Sequence, residues 1–295
     1  MKRLLPLMMI LLFLCAGCQA TPAKPQPTEP AATTAEAAED KPVPPQSDLK
    51  VYCFAAGKAD AFLFYTDNSA VLIDTGESGF GKTIVQKCAD LGINELDCLI
   101  LTHFDKDHVG GAKKVIDSLK VDRILQSNSP KESDAYAKYL EAIERKAITP
   151  ETVRSVLQFN ADGVQYTVDP PAREVYEDSA SNNSSLITTV THGDVNMLFL
   201  GDAEDARLQE YLAKNPRPCQ VVKLPHHGRW HSALNALMAQ TTPDYVIATS
   251  SSDELEDDQT VKLVNDSGAQ LFLTRQAPVE ITSSAQGLQV RYTDF

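Results

Sequence analysis

The sequence predicts an α/β domain in which sheets are covered by helices on their outer faces. Two patterns carry this: short strand-like runs joined by turns at the start of the folded part, and strict strand–helix alternation in its last third. With 295 residues, 43% of them hydrophobic, the chain is long enough to bury one substantial core. The first three strands are predicted at 51–54, 61–65 and 70–74, with Asp67-Asn68 as a turn between the last two. The period then changes, and Ile84, Cys88 and Leu91 at helical spacing predict a helix closed by Gly92. The apolar run Cys98–Leu101 predicts a buried strand that leads straight into Thr102-His103. Helices follow after Gly110-Gly111 and from Ser133 to Ala147, with strands at 123–125, 186–190 and 197–200. The last third reads helix from Ala203, strand 221–224, helix from Ser232, strand 245–248, helix from Asp257 and strand 270–273. Terminal strands are expected near 279–281 and 288–292.

Three stretches divide the chain. Met1-Lys2-Arg3 followed by the apolar run Leu4–Leu14 has the layout of a secretory signal, too short for a mature membrane span. It ends in Cys15-Ala16-Gly17-Cys18, which resembles a bacterial lipobox with Cys15 where a branched aliphatic is usual. That resemblance implies lipidation of Cys18 and an extracytoplasmic, membrane-anchored protein. Residues 19–46 contain seven prolines and no aromatic side chain, a composition that cannot offset its ordering entropy and reads as a tether. Residues 47–295 form the folded domain.

Before Ser47 four basic and four acidic residues cancel, so the formal net charge of −13 belongs to that domain. Such acidity disfavours a broad nucleic-acid surface, although a cleft holding divalent metals can be locally positive. Cys53, Cys88, Cys98 and Cys219 show no C-x-x-C spacing. They are expected as buried thiols or as disulfides in one of three full pairings.

The segment Thr102-His103-Phe104-Asp105-Lys106-Asp107-His108 places four potential ligands within six residues at the end of an apolar strand. Carboxylates beside imidazoles on a rigid strand end suit divalent cations, whose charge offsets the Asp105–Asp107 repulsion. The bland alternative is a polar loop with capping aspartates. Gly110 and Gly111 would let the backbone pass close to the site.

The string resembles the signature of the metallo-β-lactamase superfamily in the His-x-Asp-x-Asp-His-x-Gly-Gly variant of ComEC competence proteins and of bacterial phosphorylcholine esterase. Four other segments follow in the family's order. Leu72-Ile73-Asp74-Thr75-Gly76 resembles its first motif, in which the aspartate orients the metal loop. Asn182-Asn183-Ser184-Ser185 stands where true lactamases place another histidine, Leu200-Gly201-Asp202 resembles the bridging-aspartate motif, and Pro225-His226-His227-Gly228 resembles the histidine motif. The resemblance implies an αββα four-layer sandwich holding two divalent ions, Zn²⁺ or Mn²⁺. One ion would take His103, Asp105 and Asp202; the other would take Asp107, His108, Asp202 and one of the paired histidines. His226, nearer the strand end, is the expected ligand, with His227 facing substrate or acting in catalysis beside Asp107 and Asp202. Asp74, Asn182, Asn183, Ser185 and Trp230 are expected around the site, and His192, in Thr191-His192-Gly193-Asp194, in a surface turn.

Two ions sharing Asp202 would turn a bridging water into hydroxide near neutral pH. A ligand set rich in carboxylate and free of thiolate favours phosphoesters, in a small molecule or a polymer, over β-lactams. The other readings are a lactone, thioester or β-lactam hydrolase on the same fold, and a non-catalytic lipoprotein that binds a metal or ligand.

Overall fold

The computed structural model describes residues 47–294. The expected signal segment, Cys18 and the tether lie outside the described residues, as does Phe295 at the end of the folded domain.

The first half of the domain runs β1 (Leu49–Cys53), β2 (Phe62–Tyr65), β3 (Ala70–Ile73), α1 (Gly81–Asp90), β4 (Glu95–Leu96), β5 (Cys98–Leu101), α2 (Lys106–Val109), α3 (Ala112–Ser118), β6 (Lys120–Val121), β7 (Ile124–Gln126), α4 (Asp134–Arg145) and β8 (Glu151–Thr152). The second runs β9 (Leu157–Ala161), β10 (Val164–Asp169), β11 (Ile187–His192), β12 (Val195–Phe199), α5 (Asp205–Leu212), β13 (Val221–Lys223), α6 (Leu234–Thr241), β14 (Tyr245–Ala248), α7 (Asp258–Ser267), β15 (Gln270–Leu273), β16 (Val279–Ser284) and β17 (Gly287–Tyr292). An eight-stranded sheet has the order β17-β16-β1-β2-β3-β5-β7-β8, and a seven-stranded sheet the order β15-β14-β13-β12-β11-β10-β9. β4 and β6 form a separate two-stranded pair.

Side-chain alternation sorts these elements into four layers. Successive residues of a strand point to opposite faces, so Phe62 and Phe64, Val71 and Ile73, and Cys98 and Ile100 enter a core shared with Val190, Met197, Phe199, Val221 and Ile247 of the second sheet. Leu63, Leu72, Leu99 and Leu101 point the other way, onto Ile84 and Cys88 of α1, Val115 and Ile116 of α3 and Tyr139 of α4. On the far side, Leu198, Val222 and Val246 meet Leu208, Leu234, Leu237 and Val264 of α5, α6 and α7. The result is helix, sheet, sheet, helix. Phe199 ties the two sheets, its ring centroid 5.0 Å from that of Phe62 and 4.9 Å from that of Phe64. Burying one such side chain is worth roughly 1.5–3 kcal/mol.

The hairpin β9–β10 was not expected. Its two strands alternate and are joined by Asp162-Gly163, both at positive φ, an ordinary hairpin turn signal. His192 is also corrected. Only Gly193-Asp194 turn, while His192 ends β11 fully buried, with Nδ1 2.9 Å from Ser283 Oγ and Nε2 3.0 Å from the Ser47 carbonyl. The four cysteines of the domain are buried free thiols. Among the described residues no helix is long and apolar enough to cross a membrane.

What places the site is strand direction. β3, β5 and β7 are parallel in one sheet, and β12, β13, β14 and β15 in the other. Asp74, Thr102, Gly201, Leu224 and Thr249 follow the C-terminal ends of β3, β5, β12, β13 and β14, the side on which open α/β sheets collect their ligands.

Candidate metal centre

The first sheet supplies a fixed platform. Asp74 takes a left-handed backbone (φ 56°) directly after β3, which turns its carboxylate across to the neighbouring β5. Its Oδ1 accepts from the Thr102 amide at 2.8 Å, and its Oδ2 accepts from the Thr102 hydroxyl at 2.7 Å and lies 2.8 Å from His108 Nδ1. The carboxylate thus clamps both ends of the segment His103–His108. His108 is held by its Nδ1 side and presents Nε2 to Asp202 Oδ1, 3.1 Å away.

The loop between these clamps is dense because glycine permits it. A Cβ on Gly111 would lie 2.2 Å from the Thr75 carbonyl oxygen and 2.8 Å from the Gly81 nitrogen, so any side chain there would push the loop off the β3 end. Asp105 occupies the position before α2 but makes no side-chain cap, and Asp202 does not cap α5. Asn183 performs that task, its Oδ1 accepting from the Glu204 and Arg207 amides, both at 3.2 Å. The two aspartates are therefore free of the capping role that a polar loop would give them.

The second sheet brings Asp202 and His227. Asp202 is 3% exposed; its amide donates to Ser185 Oγ at 3.1 Å, and its carboxylate stands between two rings, Oδ1 on His108 and Oδ2 3.2 Å from His227 Nε2. His227 Nε2 also lies 3.4 Å from Asp107 Oδ2. Ligating atoms of Asp107, His108, Asp202 and His227 all fall within 4.8 Å of one another. His103 adjoins them, its ring centroid 4.1 Å from that of His108 and its Nε2 3.9 Å from Asp105 Oδ1. Asp105 leans outward, accepting from Lys131 Nζ at 2.5 Å and from Ser181 Oγ.

Of the paired histidines the structure brings His227, and not the expected His226, into the cluster. Proximity to β13 in sequence misled, because the chain does not continue extended past Pro225. His226 (φ 47°) and His227 (φ 57°) are both left-handed, and the turn sends their rings apart. His226 lies over His231 at 5.5 Å between centroids, with Nδ1 3.5 Å from Glu204 Oε1. The remaining residues act through others. Asn182 donates to Glu204 at 2.7 Å, Ser185 Oγ lies 3.4 Å from His103 Nδ1, and Trp230 packs half-buried on the core beneath α5, α6 and α7 with its amide on Asp257.

Sequence reasoning missed Asp60, Lys223 and Thr249, all buried beneath the cluster. Lys223 Nζ donates to Asp60 Oδ2 and, at 3.1 Å, to the Gly201 carbonyl. A lysine inside the otherwise apolar run Val221–Leu224 was the available signal.

The donors fit a pair of divalent cations. His103 Nε2, His108 Nε2, His227 Nε2 and Asp202 Oδ1 are buried without a well-aligned hydrogen bond, the polar contacts of the His108 and His227 nitrogens being to carboxylates of the cluster itself, and an unsatisfied buried atom costs roughly 1–3 kcal/mol. Ligating atoms of Asp107, His108, Asp202 and His227 converging within 4.8 Å are what a cation site requires, and His103 adjoins them. Protons partly answer the charge otherwise. Burial disfavours the charged form of His227, but Asp202, Asp107 and Asp60 outweigh it and raise the pKa to about 10. His108 is likewise raised against its burial by Asp202 and Asp74, whereas burial and the neighbouring His108 lower His103 to about 4. Asp107 and Asp202 are held low, burial being outweighed chiefly by His227 and His108. Protons thus favour the His108 and His227 positions a metal would take, and binding must release them. Metal affinity should rise between pH 6 and pH 8 by about tenfold per pH unit for each proton displaced. Calorimetry in buffers of different ionisation enthalpy would show that release, and a pH-independent Kd would refute it.

Among sequence relatives, the chain is 29% identical over 167 residues to ComE operon protein 3 of Bacillus subtilis (strain 168), covering 56% of this chain and 21% of that protein. It is 27% identical over 210 residues to competence protein ComA of Neisseria gonorrhoeae, covering 70% of this chain and 28% of that protein. The chain therefore spans less than a third of the length of either relative, and both are ComEC-like. Among solved structures, the metallo-beta-lactamase fold protein YhfI of Bacillus subtilis superposes with a TM-score of 0.54 at 9% identity, over 77% of this chain and 96% of that one. CmlA, a diiron beta-hydroxylase from Streptomyces venezuelae, superposes with a TM-score of 0.50 at 15% identity, over 85% of this chain and 55% of that one. Both likenesses concern the fold. Since residues 55–248 match the family model of the metallo-beta-lactamase superfamily, and that span holds every donor of the cluster, the chain belongs to this superfamily.

Proposed function

We propose that the protein is a two-metal phosphodiesterase, held outside the cytoplasm by a lipid on Cys18. The observation that carries the reading is the convergence of ligating atoms of Asp107, His108, Asp202 and His227 within 4.8 Å of one another, with the His103 ring adjoining. Asp107, His108, Asp202 and His227 would hold one ion, and His103, Asp105 and Asp202 the other. Residues so arranged would hold ions whose chemistry would be water activation near neutral pH and stabilisation of a developing oxyanion. The chain's own residues do the rest. Asp74 and Ser185 contact Nδ1 of His108 and His103 and would orient those rings, Asp202 would serve both ions, and the Asp107 side chain is 16% exposed. The donor set is carboxylate-rich and contains no thiolate, which suits Zn²⁺ or Mn²⁺ and favours phosphoesters. Lys131, 37% exposed beside Asp105, adds a cation at the rim where an anionic substrate would approach.

The ComEC-like relatives and the phosphorylcholine-esterase-like signature point to two substrates, and the domain's acidity favours the choline-bearing phosphodiester over nucleic acid. The test loads the full-length protein with Mn²⁺ or Zn²⁺. It follows release of p-nitrophenol from its phosphorylcholine ester and of nucleotides from single-stranded DNA, beside a β-lactam, a lactone and a thioester. Turnover of a phosphodiester, abolished by chelation, is expected. Turnover only of a lactam, lactone or thioester would overturn the reading. Cys18→Ser should move the protein from the membrane to the soluble fraction.

A further inference from the structure

The ring of His227 has two nitrogens, and only one of its neutral tautomers leaves Nε2 able to bind a metal. A chain of hydrogen bonds beneath the ring decides which. Thr249 Oγ1 donates to Asp60 Oδ1 at 2.6 Å, and the same oxygen lies 3.0 Å from His227 Nδ1. A hydroxyl has one hydrogen. With that hydrogen committed to Asp60, Thr249 can only accept from the imidazole, so Nδ1 must carry the proton. Asp60 Oδ1, itself 3.4 Å from Nδ1, reinforces the same choice. Lys223 closes the chain. Its ammonium, buried against Asp60 Oδ2, keeps that carboxylate ionised and therefore an acceptor only.

We propose that Asp60, Thr249 and Lys223 form a buried relay that fixes the proton on Nδ1 of His227 and so reserves Nε2, which faces Asp107 and Asp202, for a metal. They are positioning residues and touch neither substrate nor metal. The sites lie far apart in sequence, Asp60 being 189 residues from Thr249 and 163 from Lys223, so the relay forms only when the two sheets pack. It differs from the Asp74 clamp, which acts on His108 from the first sheet. The inference rests on the metal-site part of the proposed function but not on the choice of substrate.

Three variants and one wild-type measurement test it, with the full-length chain and Co²⁺ or Zn²⁺ alone as probes. Thr249→Val removes the hydroxyl at nearly constant volume and leaves the Asp60–Lys223 pair intact. Thr249→Ser keeps the hydroxyl. Asp60→Asn lets an amide donate to Thr249, whose hydroxyl then points at Nδ1 and favours the wrong tautomer. Co²⁺ titrations followed by visible absorption should show affinity reduced about 10–100-fold in Thr249→Val and Asp60→Asn, the usual cost of losing a partner behind a metal-ligating histidine. Thr249→Ser should return close to wild type. Unchanged Co²⁺ affinity in Thr249→Val would overturn the relay. Should a variant fail to fold, long-range ¹H–¹⁵N correlation on zinc-loaded wild type reads the tautomer directly. A protonated Nδ1 on His227 supports the relay, and metal coordination through Nδ1 refutes it. A wild type that takes up no metal removes the site and the relay together, whereas one that holds metal but cleaves no phosphodiester loses only the substrate reading.

Discussion

Asp202→Ala should leave a chain that folds but has lost at least about three orders of magnitude in kcat, equal to roughly 4 kcal/mol of transition-state stabilisation. The expectation follows from where its two oxygens lie. Oδ1 meets His108 Nε2 and Oδ2 meets His227 Nε2, so this one carboxylate faces donors from both sheets. Lys223 Nζ, 4.0 Å from Oδ1, adds a cation that alanine would leave less well compensated. Stability should therefore fall too, by up to about 3–5 kcal/mol, as when one partner of a buried charge network is removed. Asp202→Asn separates the two effects because it keeps the shape while losing the charge. Mass-spectrometric metal content, the melting temperature and kcat on the best phosphodiester are the measurements. Turnover within tenfold of wild type in either variant would contradict a role for Asp202 in holding metal. A protein that only captures a ligand would retain that capture.

The parts of this centre that could be read from sequence share one property. His103, Asp105, Asp107 and His108 are contiguous, and Asp74 and Asp202 each follow an apolar run that ends in a strand. Local pattern was enough to place them because a strand end is both a rigid launch point and an abrupt change of composition. The relay shows the opposite case. Asp60 sits between two alanines, Thr249 is one hydroxyl in Ala248-Thr249-Ser250, and the two lie 189 residues apart, so no local pattern betrays their pairing. Lys223 alone left a trace, a charge in a buried strand, which is expensive unless paired and so implies a hidden carboxylate. His192 failed for a similar reason. Its turn was legible, but the two serines that bury it come from positions 47 and 283. The missed hairpin β9–β10 is different, since alternation and Asp162-Gly163 were both present in the sequence. The layered architecture, by contrast, rests on period alone, and alternation at Phe62–Phe64 and Val71–Ile73 already separates an inner from an outer face.

The choice between the paired histidines gives the second large effect. His227→Ala should lower kcat by at least about 10³-fold and reduce bound metal, because its buried Nε2 lies between Asp107 and Asp202. His226→Ala should stay within about tenfold, since that ring faces His231 and Glu204 and its loss uncovers no ligand. What separates two adjacent residues so sharply is backbone conformation. Two successive left-handed residues cost roughly 1–2 kcal/mol each for a side chain with a Cβ. The turn persists because Gly228 follows at φ 93°, where a Cβ would come within 2.8 Å of Glu256 Cβ, and because the His226 amide is tied to the Gly201 carbonyl at 3.1 Å. Gly201 immediately precedes Asp202, so the same hydrogen bond sets the histidine turn against the aspartate it serves. Straightening the turn would carry His227 Nε2 away from Asp107 and Asp202. Gly228→Ala should therefore resemble His227→Ala in metal content while its histidines remain intact. A His226→Ala variant that loses metal beside a His227→Ala variant that keeps it would show that the turn points the other way.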